Sequence, residues 1–409
     1  MINVLINAYA VSPTWGSEPG MGWNWIINIA KHCNVFVITE AEWKNDILVE
    51  LEKLPQKNNI HFYFNPVSEK VRRMCWNQGD WRFYWFYRKW QKKTLEIAKT
   101  IISQNKIDII HQLNMIGFRE PGYLWKIKNI PFVWGPVGGM GTMPLSFLTD
   151  ATIKINVFIR LKNILNNIQL KYNLRVRNAI KKSMMIAATP DCKNTINKKY
   201  HKNIPLINET GLDLHPIESH KSFVNSDILR VIWVGKYDFR KRLDLAIKAV
   251  AESRNPNIEL FVCGSGTPKQ VSDIKDLCDT LKVTDRIHIL GKVDHRNILK
   301  LMYDSDLMLF SSIADATSTV VSEAISVGLP ILSHNLCGFG PIVEDFGGWT
   351  IPAKNSKDSI IEFGRILNYL QQHPEELEQK SLQAIDNRHK LGWDYKMKKL
   401  MEIYDSLVQ

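Results

Sequence analysis

The chain has 409 residues, 45% of them hydrophobic and 23% charged. That is too long for one core, and its balance argues against a disordered, collagen-like or membrane-spanning chain. Six scattered cysteines (33, 75, 192, 263, 278 and 337), with no CxxC pair, exclude a small disulfide framework or a zinc ribbon. The net charge of +12 is unevenly placed: residues 1–215 hold 29 Lys+Arg against 15 Asp+Glu, and the rest 24 against 26. The asymmetry implies that the two halves meet different partners, and a basic first half suits either a nucleic acid or an anionic membrane surface.

In chain order, the opening Met1-Ile-Asn-Val-Leu-Ile-Asn lacks the basic region and cleavage site of a secretory leader. No apolar run reaches the roughly 18 residues of a membrane helix, so a soluble, cytoplasmic protein is expected. Asn3–Tyr9 reads as a strand, residues 12–20 as a polar turn, 22–31 as a helix and 35–39 as a second strand. Strand-like runs recur at 107–111 and 132–135. From Gly211 to about Ser226 the pattern lapses into a linker. It restarts with a strand at 229–235, a helix over 243–253, and strands at 258–264, 287–291, 307–311 and 329–333. This predicts an α/β protein of two domains, 1–215 and 216–392, each around a doubly wound parallel sheet. A last helix, about 393–409, is assigned to neither by pattern and could pack back on the first domain. Ligands are expected at the carboxyl ends of the strands, where the two sheets face each other across a cleft.

In the second half, Gly235-Lys-Tyr-Asp-Phe-Arg-Lys-Arg-Leu-Asp follows a strand and opens a helix. Lys236 and Lys241 on such a loop could neutralise a diphosphate, since free N–H groups at a helix start already favour an anion. A solvated basic loop is the plainer alternative. Downstream, Asp315 precedes a helix, Ser318 and Thr319 open it, and Glu323 lies within it. Side chains lean toward a helix N-terminus, so both carboxylates can serve one ligand across that end, with the N–H groups near Thr319 and Val320 on its phosphate. A carboxylate such as Glu323 can accept two hydroxyls, as a ribose diol requires. Here the alternative is an N-capping Asp315 and a surface Glu323. Asp304-Ser-Asp306 spells a metal-binding DxD, but it falls between a helix and a strand and reads as capping or solvated.

These stretches, with Cys263-Gly-Ser-Gly, Ile289-Leu-Gly-Lys-Val and the trailing Gly328-Leu-Pro, resemble the GT-B fold retaining glycosyltransferases of family GT4 over almost the whole chain. The resemblance implies two Rossmann-like domains, with Lys236 and Lys241 on the diphosphate, Glu323 on the nucleotide ribose and Asp315 facing the transferred sugar. It further implies that Gly235, Gly264, Gly266, Lys292, Val293, Ser318, Thr319 and Val320 line the donor, the glycines letting it approach the backbone. Fixed cations would replace a metal, and no cofactor is expected. The family's usual Arg is Lys236 here, which loses bidentate geometry. Its leading Glu is Asp315, and its Gly-Phe-Gly is Ala316-Thr317-Ser318.

In the first half, Gly16-Ser17-Glu18-Pro-Gly-Met-Gly is not a GxGxxG fingerprint, which disfavours a dinucleotide oxidoreductase. It looks like the N-terminal loop of a GT4 branch acting on bacterial surface polysaccharides, as do Trp134-Gly-Pro-Val-Gly138-Gly139 and His111 through Arg119. The likeness implies that Gly16, Gly138 and Gly139 border the sugar, that Arg119 contacts acceptor or phosphate, and that His111 is a catalytic candidate. A satisfied structural histidine is its alternative. Residues 72–93 interleave aromatic and cationic side chains, as membrane-interface segments do. Between Asp150 and Asp191 there is no acid, and Val157, Leu161, Ile164, Leu165 and Ile168 form an apolar stripe. Either this stripe packs on the core or it meets a membrane.

The expected protein moves a sugar from a nucleotide-diphosphate sugar to a lipid-linked or glycan acceptor, in capsule, exopolysaccharide or lipopolysaccharide synthesis. It would sit at the inner face of the cell membrane in peripheral contact with anionic lipid. A GT-B epimerase or phosphorylase, and a basic nucleic-acid-binding protein, are the competing readings. No helix-turn-helix, RNP or zinc spacing supports the last, so no nucleic-acid partner is expected.

Overall fold

The computed structural model describes residues 1–77, 80–214, 223, 227–315, 318–336 and 338–408. Most of the expected linker, Ala316 and Thr317 of the donor loop, and Cys337 lie outside them.

The chain forms two compact units. The first comprises Met1–Gly141, Leu165–Gly211 and the C-terminal helix Trp393–Val408; the second comprises Thr142–Ile164 and Leu212–Gly392. Residues 142–164 thus group with the second unit, not with the first as the linker position suggested. Phe147 explains this locally: its buried ring meets His334 edge-on at 5.4 Å in a small cluster with Leu245 and Ile313.

The first unit holds strands β1 (Ile2–Ala8), β2 (Cys33–Thr39), β3 (Ile60–Phe64), β4 (Ile109–Asn114), β5 (Phe132–Val137) and β6 (Met184–Ala187), in the order 3-2-1-4-5-6. The second holds β7 (Leu229–Lys236), β8 (Ile258–Ser265), β9 (Ile287–Gly291), β10 (Leu307–Phe310), β11 (Ile331–His334) and β12 (Gly348–Ile351). Counted from its own first strand, that sheet has the same order. Pairing is parallel in both. Central strands β4 and β10 are buried along their whole length; β10 accordingly reads as an unbroken apolar run, whereas β4 buries the polar His111, Gln112 and Asn114 as well. The order reverses between β1 and β4, and between β7 and β10. At these two points neighbouring loops diverge and leave room for a ligand.

Several elements differ from expectation. The first helix starts at Ser17, not Gly22, so the loop after β1 is short. Strands β3, β6 and β12 were not anticipated; β3 and β12 lie at sheet edges and β6 is only four residues long. The last helix belongs to the first unit, where the Trp393 and Trp25 rings meet at 5.9 Å and 87°. The aromatic segment 72–93 is only half a surface. Phe83, Tyr87 and Trp90 close around Tyr9 in the core, while Trp81, Tyr84 and Trp85 remain exposed.

Candidate functional site

The best-organised polar site lies at the reversal point of the second sheet. Strands β7 and β10 are paired neighbours, so the loops leaving their carboxyl ends emerge side by side. Ser311, just past β10, fastens them: its hydroxyl donates to the carbonyls of Lys241 (3.0 Å) and Arg242 (2.8 Å) and accepts from the Trp233 indole N–H (3.0 Å). The Ile313 N–H adds a bond to the Arg240 carbonyl (2.9 Å). Buried Arg242 sits in the left-handed region (φ 52°). Its guanidinium reaches Asp150 (2.8 Å), Asp244 (2.8 Å) and the Ser356 hydroxyl (3.1 Å), and those two carboxylates raise its pKa against its burial. The turn is thereby rigid before any ligand arrives.

On this frame the Lys241 ammonium forms an ion pair with Asp315, both side chains being mostly buried. Lys236, the last residue of β7, is exposed. The Lys241 stem runs past Gly235, where a Cβ would stand 3.6 Å from its Cδ. Glu323 lies in the helix Thr319–Ser326, and its Oε1 is 3.0 Å from Nε2 of exposed His295. Ser318, not Asp315, is the N-cap of that helix, and it makes no side-chain capping bond. Both plainer alternatives for Asp315 and Glu323 therefore give way: the first is paired and the second mostly buried. Thr319 is exposed and Val320 half-buried at the helix start, and Lys292 and Val293 precede Asp294, which caps the helix His295–Asp304.

Two donor glycines also have a physical reason inside the fold. A Cβ on Gly264 would lie 1.8 Å from the Gly235 carbonyl oxygen, and one on Gly266 would lie 2.8 Å from Tyr237. The contact between β7 and β8 itself demands Gly264, and the packing of Tyr237 just past β7 demands Gly266. Asp306 of the DxD triplet ties the sheet together, accepting the Arg230 N–H at 2.7 Å.

In the first unit, the loops after β1 and β4 meet at the corresponding reversal point. Glu18 Oε1 accepts the Ile116 N–H (2.6 Å), and burial holds this carboxyl above its ordinary pKa. The Ile116 carbonyl in turn takes the Gly138 N–H (2.9 Å), and Gly139 adopts φ +75°, open to glycine. Gly16 caps the first helix with nothing within 4 Å of a Cβ there, and Ser17 opens the helix, exposed. Glu18 is thus a brace between the segments that follow β1 and β4.

His111 and Arg119 are corrected. His111 is fully buried, with Nε2 2.6 Å from the Gly135 carbonyl and Nδ1 2.6 Å from the Tyr404 hydroxyl. The carbonyl can only accept, so Nε2 carries the proton and Nδ1 accepts from Tyr404. Burial lowers its pKa to about 4. With both nitrogens engaged inside the fold, it is structural. Arg119 is held by Asn166 and lies over the Phe118 ring, so it braces the helix Ile153–Tyr172. Sequence reasoning missed Ser311, Arg242 and His295. Only His295 left a trace, three residues beyond Lys292.

Residues 216–382 match the family model described as "Glycosyl transferases group 1". The chain is 29% identical to the lipopolysaccharide glucosyltransferase WaaG of Escherichia coli over 161 residues, 39% of this chain and 40% of that protein. It is 27% identical to the gpi3 subunit of phosphatidylinositol N-acetylglucosaminyltransferase of Schizosaccharomyces pombe over 119 residues, 29% of this chain and 26% of the relative. The matched part is less than half of each of these relatives. The crystal structure of Anabaena HepE in complex with UDP superposes with a TM-score of 0.63 at 15% identity, covering 99% of this chain and 100% of HepE. That of WaaG gives 0.57 at 18%, covering 98% and 99%. Residues 216–382 are thus similar to the glycosyl transferases group 1 family, and the two six-stranded sheets have the GT-B fold of the structural neighbours.

Proposed function

We propose that the protein transfers a hexose from a nucleotide-diphosphate sugar to a free or lipid-linked glycan with retention of anomeric configuration, in the synthesis of a bacterial surface polysaccharide. The observation that carries this reading is the convergence of Lys241, Asp315 and an uncapped helix start at the reversal point of the second sheet. That place suits a pyrophosphate: cations and free N–H groups meet charge that grows as the leaving group departs. Lys236 and Lys241 bear that charge without a metal, Glu323 holds the ribose diol, and Asp315 orients the sugar.

The sugar C1–O bond to the nucleotide diphosphate breaks while a C1–O bond to the acceptor hydroxyl forms on the same face. The departing phosphate oxygen takes the acceptor proton, so atoms and charge balance without a protein nucleophile. The engaged nitrogens of His111 favour this route over one with an imidazole base. Two relatives suggest the donor to try first: HepE was crystallised with UDP, and WaaG is named a glucosyltransferase.

Thermal melting against UDP, GDP and ADP tests the reading. One nucleotide should raise the melting temperature of the wild type and fail to do so in Glu323→Ala. A flat response to all three would overturn it. With the responding nucleotide's sugar, NMR of the product anomer then reads retention directly.

A further inference from the structure

Three tryptophans stand beyond the carboxyl ends of three neighbouring strands. Trp15 follows β1, Trp43 follows β2, and Trp76 closes the helix Glu69–Trp76 that comes after β3; these strands lie side by side in the order 3-2-1. All three residues belong to the first unit. Their rings form one cluster. Centroid to centroid, Trp15 lies 5.9 Å from Trp43 and 6.2 Å from Trp76, and Trp43 lies 5.4 Å from Trp76. Trp43 is buried, but Trp15 (58%) and Trp76 (39%) stay exposed, their planes 35° apart. Single apolar side chains are normal on a surface, whereas two large rings left in water against a buried third mark a partner.

Both exposed rings are held in place. The Trp15 N–H donates to the Ser12 hydroxyl (3.2 Å), and Gly20 packs so closely on the Trp15 carbonyl that a Cβ would stand 2.3 Å from its oxygen. The Trp76 indole N–H donates to both oxygens of Glu42 (3.0 and 3.1 Å). The Glu42 N–H donates to buried Glu40 (2.7 Å), which also accepts the Val67 N–H (3.0 Å) and two bonds from the Arg72 guanidinium (2.9 and 3.1 Å). A buried carboxylate with its cation thus positions the acid that holds an exposed ring. One indole N–H leaves most of the roughly four acceptor sites of the Glu42 carboxylate open to hydroxyl donors.

We propose that Trp15, Trp76 and Glu42 form a platform for a gluco-configured pyranose of the acceptor glycan, an assignment that rests on the transferase reading above. The ring hydroxyls of such a sugar are equatorial, so its faces present C–H groups polarised by the neighbouring oxygens. Those C–H groups meet the negative faces of the indoles, while a hydroxyl donates to Glu42. Rings already fixed in place bind at little cost in side-chain ordering. A fatty acyl chain would strip Glu42 of water and offer it no donor. A nucleic acid would bring phosphates to Glu42 and to Asp46, which accepts the Thr14 hydroxyl at 3.4 Å. A hydroxyl-rich ligand with an apolar face satisfies the rings and the carboxylate together.

Saturation-transfer NMR of the full chain with millimolar cellotetraose and maltotetraose, each a chain of gluco-configured rings, tests this. The wild type should pass saturation to the pyranose C–H protons of at least one of them. Trp15→Ala and Trp76→Ala should each weaken that binding about tenfold or more. Trp15→Leu, which keeps apolar area but no ring face, should do the same, and Trp15→Tyr should stay within about threefold of the wild type. Ligand-free melting curves show that each variant is folded, and the melting shift with the responding nucleoside diphosphate should match the wild type throughout. A nucleotide shift with no tetrasaccharide signal from the wild type would overturn the platform and leave the transferase reading standing. A tetrasaccharide signal with no nucleotide shift would uphold sugar binding and sink the transferase reading. A signal indifferent to Trp15→Ala and Trp76→Ala would also overturn the platform, and a nucleotide shift lost in Trp15→Ala would assign the rings to a base instead.

Discussion

Lys241 and Asp315 are 74 residues apart in the chain, yet the ammonium nitrogen lies 2.5 Å from a carboxylate oxygen. The cation proposed for the diphosphate is thus held by the acid proposed for the sugar. With both side chains mostly out of water, the pair keeps the ammonium at one point before the donor binds. The donor then meets a placed charge and does not have to order a flexible one.

The two partners should separate on mutation. Lys241→Met should weaken nucleoside diphosphate binding by about tenfold or more, because a charge-assisted contact is lost. Asp315→Asn frees the ammonium and should leave that affinity within about threefold, while turnover falls roughly 100-fold. Calorimetry with the responding nucleotide and initial-rate assays read the two effects; equal losses of affinity in both variants would contradict the division of labour.

Glu323 is shared between His295 now and a ribose diol in the proposed complex. Glu323→Ala should cost roughly 10- to 100-fold in nucleotide affinity, since two hydroxyls lose their acceptor. His295→Ala should change it by less than about threefold. A larger loss in the histidine variant would make His295 a direct ligand contact.

His111 should behave as a structural residue. His111→Phe orphans the Tyr404 hydroxyl and the Gly135 carbonyl, a loss of about 2–4 kcal/mol of stability, with kcat of the folded enzyme little changed. The imidazole pKa is about 4 in the fold against an ordinary 6.5. As pH falls through that window the unfolded chain takes up a proton that the folded chain refuses, so stability drops. His334, also lowered to about 4 by burial, titrates in the same window. Melting temperatures of His111→Phe between pH 7 and pH 4 should therefore fall less steeply than those of the wild type, without becoming flat.

Lys396 points the same way at higher pH. It is buried on the inner face of the last helix with its ammonium 3.1 Å from the Asn208 carbonyl, and burial lowers its pKa to about 7. Between that value and an ordinary lysine's, the unfolded chain binds the extra proton, so this residue makes stability rise with pH and weighs most against the fold below about pH 7. Lys396→Met should raise the melting temperature more at pH 6 than at pH 9. A gain that grows with pH would show that the ammonium is not desolvated.

The lysines at 236 and 241 and the carboxylates at 315 and 323 could be singled out in the sequence because each sits at a fixed offset from a strand end or helix start. Those offsets survive in one dimension. His295 and Ser311 were not legible, since each matters only through a residue brought beside it by strand pairing. Glu18 and Arg119 were recognised as polar residues near the first-unit loops. Their bracing roles depend on Ile116 and Asn166, which no local spacing announces.

Periodicity determined which residues share a face, where parallel strands begin, and that two sheets of similar pattern follow one another. It did not determine which way a face turns. The stripe 157–168 and the aromatic run 72–93 both show helical periodicity, yet only the second sends part of its rings into the core. Likewise, a histidine at a strand's carboxyl end looks the same in sequence whether it meets a substrate or a tyrosine 293 residues away. Those outcomes depend on what the rest of the chain packs against each element, a three-dimensional competition for buried area and hydrogen-bond partners that the tertiary structure alone decides.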